Sequence, residues 1–403
     1  MPQIVIRHDR EKPVLQQHPW IFSGAIQEVR GNPAPASIVD VVSTKGHFLA
    51  RGYWNPKSQI QVRILTWQDE PINDDWWRRM ILQSLQSRVS LFSENAAFRA
   101  VNAESDWLPG LVVDRYADFL VLQALTLGID QRKHDIARIL HEVLPDVKGI
   151  YERSDIDVRG KEGLKPETGL LWGEEPPEYI QIQENNCQFL IDVRRGHKTG
   201  FYLDQSINRA IAESYVAKLN NLFERPLRIL NLFSYTGGFA ISVLNRRIAS
   251  ITCVDASRDA LELAERNAEL NLLAENTPEL EFIQADVFQL LRDYADQGEK
   301  FDFIVCDPPK FAHNAGQVDK AARGYKDLNL HCFKLLNPGG RLMTFSCSGA
   351  ISADLFQKIV FGALADSGRQ GQIEQYLSAA PDHPVALTFP EGAYLKGLVV
   401  RVI

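Results

Sequence analysis

Residues 228–239 read RILNLFSYTGGF: an apolar run, a short polar stretch, then Gly237 and Gly238. Such a run fits a buried strand, and paired glycines let a backbone approach a ligand closely before the next helix begins. A tight strand-to-helix turn with no ligand fits equally. The spacing does not match G-x-G-x-x-G, which disfavours a dinucleotide pyrophosphate. Downstream come the apolar runs SITCVDA (250–256), EFIQAD (281–286), FDFIVCD (301–307) and GGRLMTFSCS (339–348), each followed by a helix-compatible stretch. This alternation predicts an α/β fold with a Rossmann-like, doubly wound parallel sheet. LVVRVI (398–403) adds a strand, with PEGAYLKG as the turn leading into it.

Ligands of open α/β sheets sit beyond the carboxyl ends of the strands. The second run ends in Asp255, suited to ribose hydroxyls, and the third in Asp286, suited to an exocyclic amine of adenine. The fourth opens into DPPKF, Asp307 to Phe311. A single aspartate at such a place is commonly a helix cap. Three on successive strands beside a glycine loop point to a site. The two prolines of DPPKF fix the backbone, so that carbonyls and the Asp307 carboxylate can point into a pocket.

The fifth run places Cys347 at its carboxyl end, between two serines and before Gly349. A thiol at that edge is a candidate nucleophile for covalent catalysis, provided its pKa is lowered locally. Cys347 is the candidate; a structural residue of a core strand is the plainer alternative. Cys306 abuts Asp307, but strand alternation turns it the other way, so Cys306, Cys187, Cys253 and Cys332 read as packing residues. Lys310 is either a contact to phosphate or base, or simply solvated.

Upstream, residues 1–70 hold short apolar runs separated by Gly, Pro and Asn, which predicts a small barrel-like β domain. PINDDWWRRMILQSLQSRVSLF (71–92) predicts an amphipathic helix with Asp74 and Asp75 at its positive end. Residues 98–190 predict strand, hairpin, helix, strand, strand, with RGKEGLKPETGLLWGEEPPEY (159–179) as an exposed loop. The expected domains are 1–70, 71–190 and 191–403.

With 403 residues, 45% of them hydrophobic and 24% charged, the chain has an ordinary globular composition. A net charge of −7 excludes a strongly basic coat protein. Residues 1–67 nevertheless carry eight basic against four acidic side chains, +4, leaving −11 for the rest, which suggests a polyanion handle. There is no apolar stretch long enough to span a membrane and no apolar leader at the start, so a cytoplasmic protein is expected. Five scattered cysteines without a C-x-x-C pair suggest neither a disulfide framework nor a metal site.

NLFSYTGGF, VDAS, QADVF and DPPKF, in this order, resemble the S-adenosylmethionine site of class I methyltransferases. The resemblance implies that the Gly237 loop faces the methionine end, Asp255 the ribose and Asp286 the adenine, with Asn231, Phe233, Tyr235, Thr236, Ala256 and Asp307 also at the cofactor. KTGFYLDQSINR (198–209) resembles the GFYLDQR segment that caps this pocket in one subgroup, which implicates Tyr202 and Asp204; Arg209 stands three positions later than that subgroup's arginine. Nearly the whole chain resembles the ribosomal large-subunit methyltransferase I family, which makes 5-methylcytosine in 23S rRNA. HPWIFSGAI with GHFLARGYWNPKSQIQVRIL resembles its RNA-binding PUA pseudobarrel, and the middle region its α+β EEHEE domain. By that resemblance Asp307 holds the cytosine edge, Cys347 is the nucleophile, and the loop 312–323 closes over the substrate. Other RNA cytosine methyltransferases carry a second cysteine just after the prolines, where this chain has Lys310. Phe345 departs from the small or sulfur-bearing residue of many relatives.

The basic N-terminus beside Arg194, Arg195 and Lys198 then suggests a track for the RNA backbone, or an ordinary solvated surface. The alternatives are a guanine-N methyltransferase of the same domain order, which needs no thiol, and a non-catalytic RNA-binding assembly factor. An exposed edge in the central domain leaves a homodimer open.

Overall fold

The computed structural model describes residues 1–91, 96–244, 246–272 and 278–403. The chain packs into two compact units, residues 1–182 with 191–203 and 382–392, and residues 183–190 with 204–381 and 393–403.

The first unit begins with a six-stranded sheet in the order Trp20–Phe22, Ile60–Thr66, Phe48–Trp54, Ile38–Val42, Gln3–Ile6, Ile26–Arg30. Strand alternation turns Ile4, Ile6, Val39, Val41, Val62 and Ile64 into one apolar core. The expected helix spans Asp74–Gln86. Asn73 caps it by accepting from the Trp76 amide at 3.0 Å, while Asp74 and Asp75 occupy the first turn. Trp76, Trp77, Ile81 and Leu85 are buried and share a core with Val113, Leu122, Ile136 and Leu140.

Five further strands form a second sheet in the order Glu167–Gly173, Gly149–Ser154, Phe119–Ala124, Leu111–Tyr116, Ala97–Asn102, with helix Lys133–Val143 between the third and fourth in chain order. This is one strand more than the EEHEE shorthand counts. The expected loop 159–179 needs correction. Its residues Glu167–Gly173 pair antiparallel with Gly149–Ser154 as an edge strand. An edge buries little, so its Glu, Thr and Gly residues stay exposed and mask the signal.

Buried polar groups join the two sheets of this unit. Arg63 Nη1 lies 2.7 Å from Glu104 Oε1 and its Nη2 3.1 Å from Glu162 Oε1. Asn55 and Ser58 also donate to the Glu162 carboxylate, and Trp20 Nε1 to Glu104. The basic N-terminal handle is smaller than its formal charge, because Arg63 and Arg51 are buried and pair with Glu104, Glu162 and Asp69 from beyond residue 67. The pairs Arg51–Asp40 and Arg30–Glu28 are already counted in the +4.

The second unit is built on a seven-stranded sheet. Its strands are β1 (Leu227–Leu232), β2 (Ile248–Asp255), β3 (Glu279–Gln284), β4 (Phe301–Cys306), β5 (Leu336–Ser346), β6 (Gly371–Ser378) and β7 (Lys396–Val402). The order is β3-β2-β1-β4-β5-β7-β6; β1 to β5 run parallel, and β7 is antiparallel to both its neighbours. Thus the expected doubly wound sheet forms, and its strand order reverses between β1 and β4. In open sheets of this kind ligands bind at the carboxyl ends of the strands at such a reversal. The helices are α1 (Ser206–Leu222), α2 (Gly238–Val243), α3 (Arg258–Glu269), α4 (Val287–Gln297), α5 (Val318–Leu335) and α6 (Ala353–Asp366). Phe301, Ile304, Cys306, Cys332 and Phe333 lie in the buried core of this unit. No helix among the described residues is long and apolar enough to cross a membrane.

Candidate active site

The loop after β1 is bent sharply. Phe233, Tyr235 and Gly237 have φ of 55°, 47° and 80°. Only glycine takes that region without cost, so Phe233 and Tyr235 store strain that the surrounding contacts must hold. A Cβ on Gly237 would stand 3.1 Å from Ile241 Cδ1 and 3.2 Å from Ala264 Cβ, so a side chain there has neither the conformation nor the room. Asp255 at the end of β2 fixes this loop: Oδ2 accepts from the Tyr235 amide and Oδ1 from the Ser257 amide, both at 2.9 Å. Carboxylate oxygens carry two lone pairs each, so these bonds leave acceptor capacity for hydroxyls. Asn231 is buried at the end of β1, and Ala256 follows Asp255. The buried hydroxyls of Ser234 and Thr236 have no hydrogen-bond partner among the described residues. Buried polar atoms are normally satisfied; a polar ligand at this loop would satisfy them, and the loop fits S-adenosylmethionine.

Asp286 follows β3 and is exposed. Its Oδ1 accepts from the Gln289 amide at 2.9 Å and caps α4. The helix-cap role that tempers any such aspartate is therefore filled here, by one of its two oxygens.

Beyond β4, Asp307 is half-buried and Oδ2 accepts from Gln205 Nε2 at 2.8 Å. Gln205 Oε1 in turn accepts from Asn208 Nδ2 at 2.6 Å, and Asn208 also donates to the Ser378 carbonyl. Asp204, next in the chain to Gln205, is buried and accepts from the Tyr394 hydroxyl at 2.6 Å. Gln205 belongs to the GFYLDQ segment, but its partner cannot be read there, and Tyr394 carries no signal in the sequence; only the fold brings them to these aspartates. Arg209 serves elsewhere, with its guanidinium buried against Glu184 at 2.5 and 2.7 Å.

Cys347 stands just past β5. All five cysteines are described; four are buried and Cys347 is partly accessible. Its Sγ lies 4.0 Å from the Pro308 carbonyl, so thiol and DPPKF loop face each other. Ser348 clasps the two loops: its hydroxyl accepts from the Ala312 amide at 3.2 Å and lies 3.0 Å from the Tyr325 hydroxyl. Lys396, which opens β7 opposite Ser346, donates to the Ser348 carbonyl at 2.8 Å and the Ile351 carbonyl at 2.7 Å. Burial lowers its pKa to about 8, while Cys347 pulls it up and Lys310 pushes it down.

The other thiols are chemically quiet. A hydrogen bond to Cys332 and burial hold Cys306 well above its usual pKa. Burial raises Cys187 to about 11 and Cys253 to about 12. Lys310 is exposed on the DPPKF loop, and the Phe311 ring packs tilted against Tyr325 with centroids 4.7 Å apart. The loop expected over 312–323 is shorter than that, because α5 begins at Val318. Its Ala321, Tyr325 and Leu328 repeat an apolar face that propagates the helix back into the loop.

Tyr202, Arg194, Arg195 and Lys198 belong to the first unit. Asp192 Oδ1 accepts from the amides of Arg194 and Arg195 at 2.9 Å, and both side chains are exposed. Arg194 lies 3.5 Å from Glu175. The Lys198 ammonium sits 4.4 Å over the Tyr202 ring, whose hydroxyl is 3.4 Å from His197 Nδ1. Thr199 anchors this segment to the five-stranded sheet by donating to Asp114 at 2.6 Å, with the Tyr116 hydroxyl 2.9 Å away.

Comparison with known proteins agrees with this architecture. Residues 160–373 match the S-adenosylmethionine-dependent methyltransferase family. The ribosomal RNA large subunit methyltransferase I of Tolumonas auensis is 49% identical over 99% of both chains, and that of Aeromonas salmonicida 48% identical over 97% of both. The chain belongs to the ribosomal RNA large subunit methyltransferase I family. It is an S-adenosylmethionine-dependent methyltransferase, and residues 4–67 match a PUA-like domain. A Streptococcus mutans chain named as a SAM-dependent methyltransferase shares the fold, with a TM-score of 0.82 at 20% identity over the full length of both chains. A further neighbour, a methyltransferase complexed with SAH, has a TM-score of 0.84 at 20% identity over the same span.

Proposed function

We propose that this chain methylates carbon 5 of a cytosine in 23S rRNA through a covalent intermediate on Cys347. The relatives are named for the large-subunit rRNA, and the PUA-like domain suits an RNA substrate. What carries the finer reading is Cys347: the partly accessible thiol among five, past the carboxyl end of β5 and facing the DPPKF loop. An amino-group methyltransferase has no use for a thiol there.

S-adenosylmethionine supplies an electrophilic methyl group. Asn231, Phe233, Tyr235, Thr236, Gly237, Asp255, Ala256 and Asp286 are the residues to hold it, and the resemblance of the capping segment adds Tyr202 and Asp204. Asp307, held by Gln205, accepts from the exocyclic amine and aligns the cytosine ring. Cys347 first loses its proton to water. Its thiolate then forms a bond to C6, and the C5=C6 electron pair moves to C5. C5 takes the methyl group as the methyl–sulfur bond breaks. Water or hydroxide removes H5 as a proton, the C5=C6 bond returns, and the thiolate leaves C6. Lys310, Arg194, Arg195 and Lys198 contact the RNA backbone.

Cys347→Ser tests this. Methyl transfer to 23S rRNA falls by about three orders of magnitude or more, while S-adenosylmethionine binding, followed by calorimetry, is kept. Retained turnover overturns the covalent mechanism. Mass spectrometry of nucleosides from a deletion strain, showing one missing 5-methylcytosine, separates it from guanine-N methylation.

A further inference from the structure

A buried cation next to a thiol has an effect on it, whatever else it does. Lys396 has 9% of its surface exposed, and its Nζ is held by the carbonyls of Ser348 and Ile351, which bracket the turn that directly follows Cys347. Opposite it in the β5–β7 ladder is Ser346, immediately before Cys347. The anchor is thus specific: the ladder sets where the lysine starts, and two carbonyls set where its ammonium ends. Those carbonyls alone do not require a charge, since an uncharged donor would serve them.

We propose that Lys396 is a positioning residue for Cys347, fixing the turn that directly follows the thiol and favouring the thiolate by its charge. This rests on the reading of Cys347 as the nucleophile. The proton leaves Cys347 for water, the sulfur keeps the electron pair, and the ammonium keeps all its protons. When C6–S cleavage returns the thiolate, the same cation receives it.

The other charged and titratable groups beside this pair do not replace Lys396. Lys310, on the DPPKF loop, is a cation too but is exposed, where solvent screens it. Asp307, on the same loop, opposes a thiolate. Tyr325 on α5 has its hydroxyl pKa raised by burial and so stays neutral near pH 7. Charges act more strongly in a low-dielectric interior than at a surface, and Lys396 is the buried one. Its pKa of about 8 sets the window: the support is present below pH 8 and fades as the lysine deprotonates above it.

The experiment follows Cys347 alkylation by iodoacetamide against pH, read by peptide mass spectrometry on the full-length protein. Lys396→Met moves the midpoint up and slows alkylation at pH 7 roughly tenfold, as about one pH unit requires. Lys396→Arg keeps the rate within about threefold of wild type. An unchanged midpoint in a folded Lys396→Met protein overturns the inference. Should Lys396→Met fail to fold, the wild-type protein decides: anionic iodoacetate reacts faster than iodoacetamide, relative to free cysteine, if the cation is felt, and no such preference overturns the proposal. The two readings fail separately. A Cys347→Ala enzyme that still methylates rRNA removes the nucleophile, whereas an inactive one beside an unshifted Lys396→Met midpoint removes only the lysine.

Discussion

Asp307 accepts its hydrogen bond from Gln205, and Gln205 is held by Asn208, which is tied to the Ser378 carbonyl. The carboxylate therefore has its direction set by residues at the start of α1, far away in sequence. A hydrogen bond to a charged group contributes about 1.5–3 kcal/mol. Gln205→Leu fills the same space without the donor. Methyl transfer then falls about ten- to a hundredfold in steady-state kinetics, with the melting temperature shifted by a few degrees at most. A rate equal to wild type shows that Asp307 is oriented by something else. At this scale the sequence is legible only where chemistry is written in the residue type. Asp255, Asp307 and Cys347 stand at strand ends and declare themselves. The roles of Gln205, Ser348 and Lys396 are not legible, because their partners come from other elements of the fold; Gln205 and Ser348 lie in the quoted stretches without showing what they hold, and Lys396 reads from the sequence as part of a turn.

Among the elements, β5 and β7 are fitted to each other at one point. Phe345 pairs with Gly397, and a Cβ on Gly397 would lie 2.5 Å from Phe345 Cδ1 and 2.9 Å from the Thr344 carbonyl oxygen. This accounts for the large residue that precedes the Ser346–Cys347 pair: the facing glycine makes room for its ring, which also packs at 5.7 Å against Phe239. Gly397→Ala overpacks the contact and destabilises the second unit by about 1–3 kcal/mol, read as a lower urea midpoint. Phe345→Leu in the same chain recovers part of the loss and not all, since the carbonyl contact persists; full additivity of the two changes would refute the coupling. The central parallel strands β1, β4 and β5 are legible in sequence because they are buried on both faces and read as continuous apolar runs. Glu167–Gly173 is not, since an edge strand needs no such run.

For the molecule as a whole, charge is the quantity that sequence alone misjudges. The +4 of residues 1–67 counts Arg51 and Arg63 as though they faced solvent, yet both are buried in ion pairs. Arg63 bridges Glu104 and Glu162, which lie beyond the PUA-like domain, and so ties that domain to the neighbouring sheet within the same unit. Removing one partner of a buried ion pair leaves the others uncompensated and costs about 3–5 kcal/mol. Arg63→Met thus lowers the stability of the first unit by about that amount. Adding Glu104→Gln and Glu162→Gln restores a share of it, because the orphaned carboxylates are gone. The same buried position predicts what Arg63→Met leaves alone. In the folded protein, the slope of RNA affinity against salt stays at its wild-type value, since a buried guanidinium neutralises no phosphate, whereas Lys310→Ala reduces that slope by about one. A reduced slope in folded Arg63→Met would mean that Arg63 leaves its carboxylates for the RNA, and the pairing would then be a switch between two partners rather than a fixed joint.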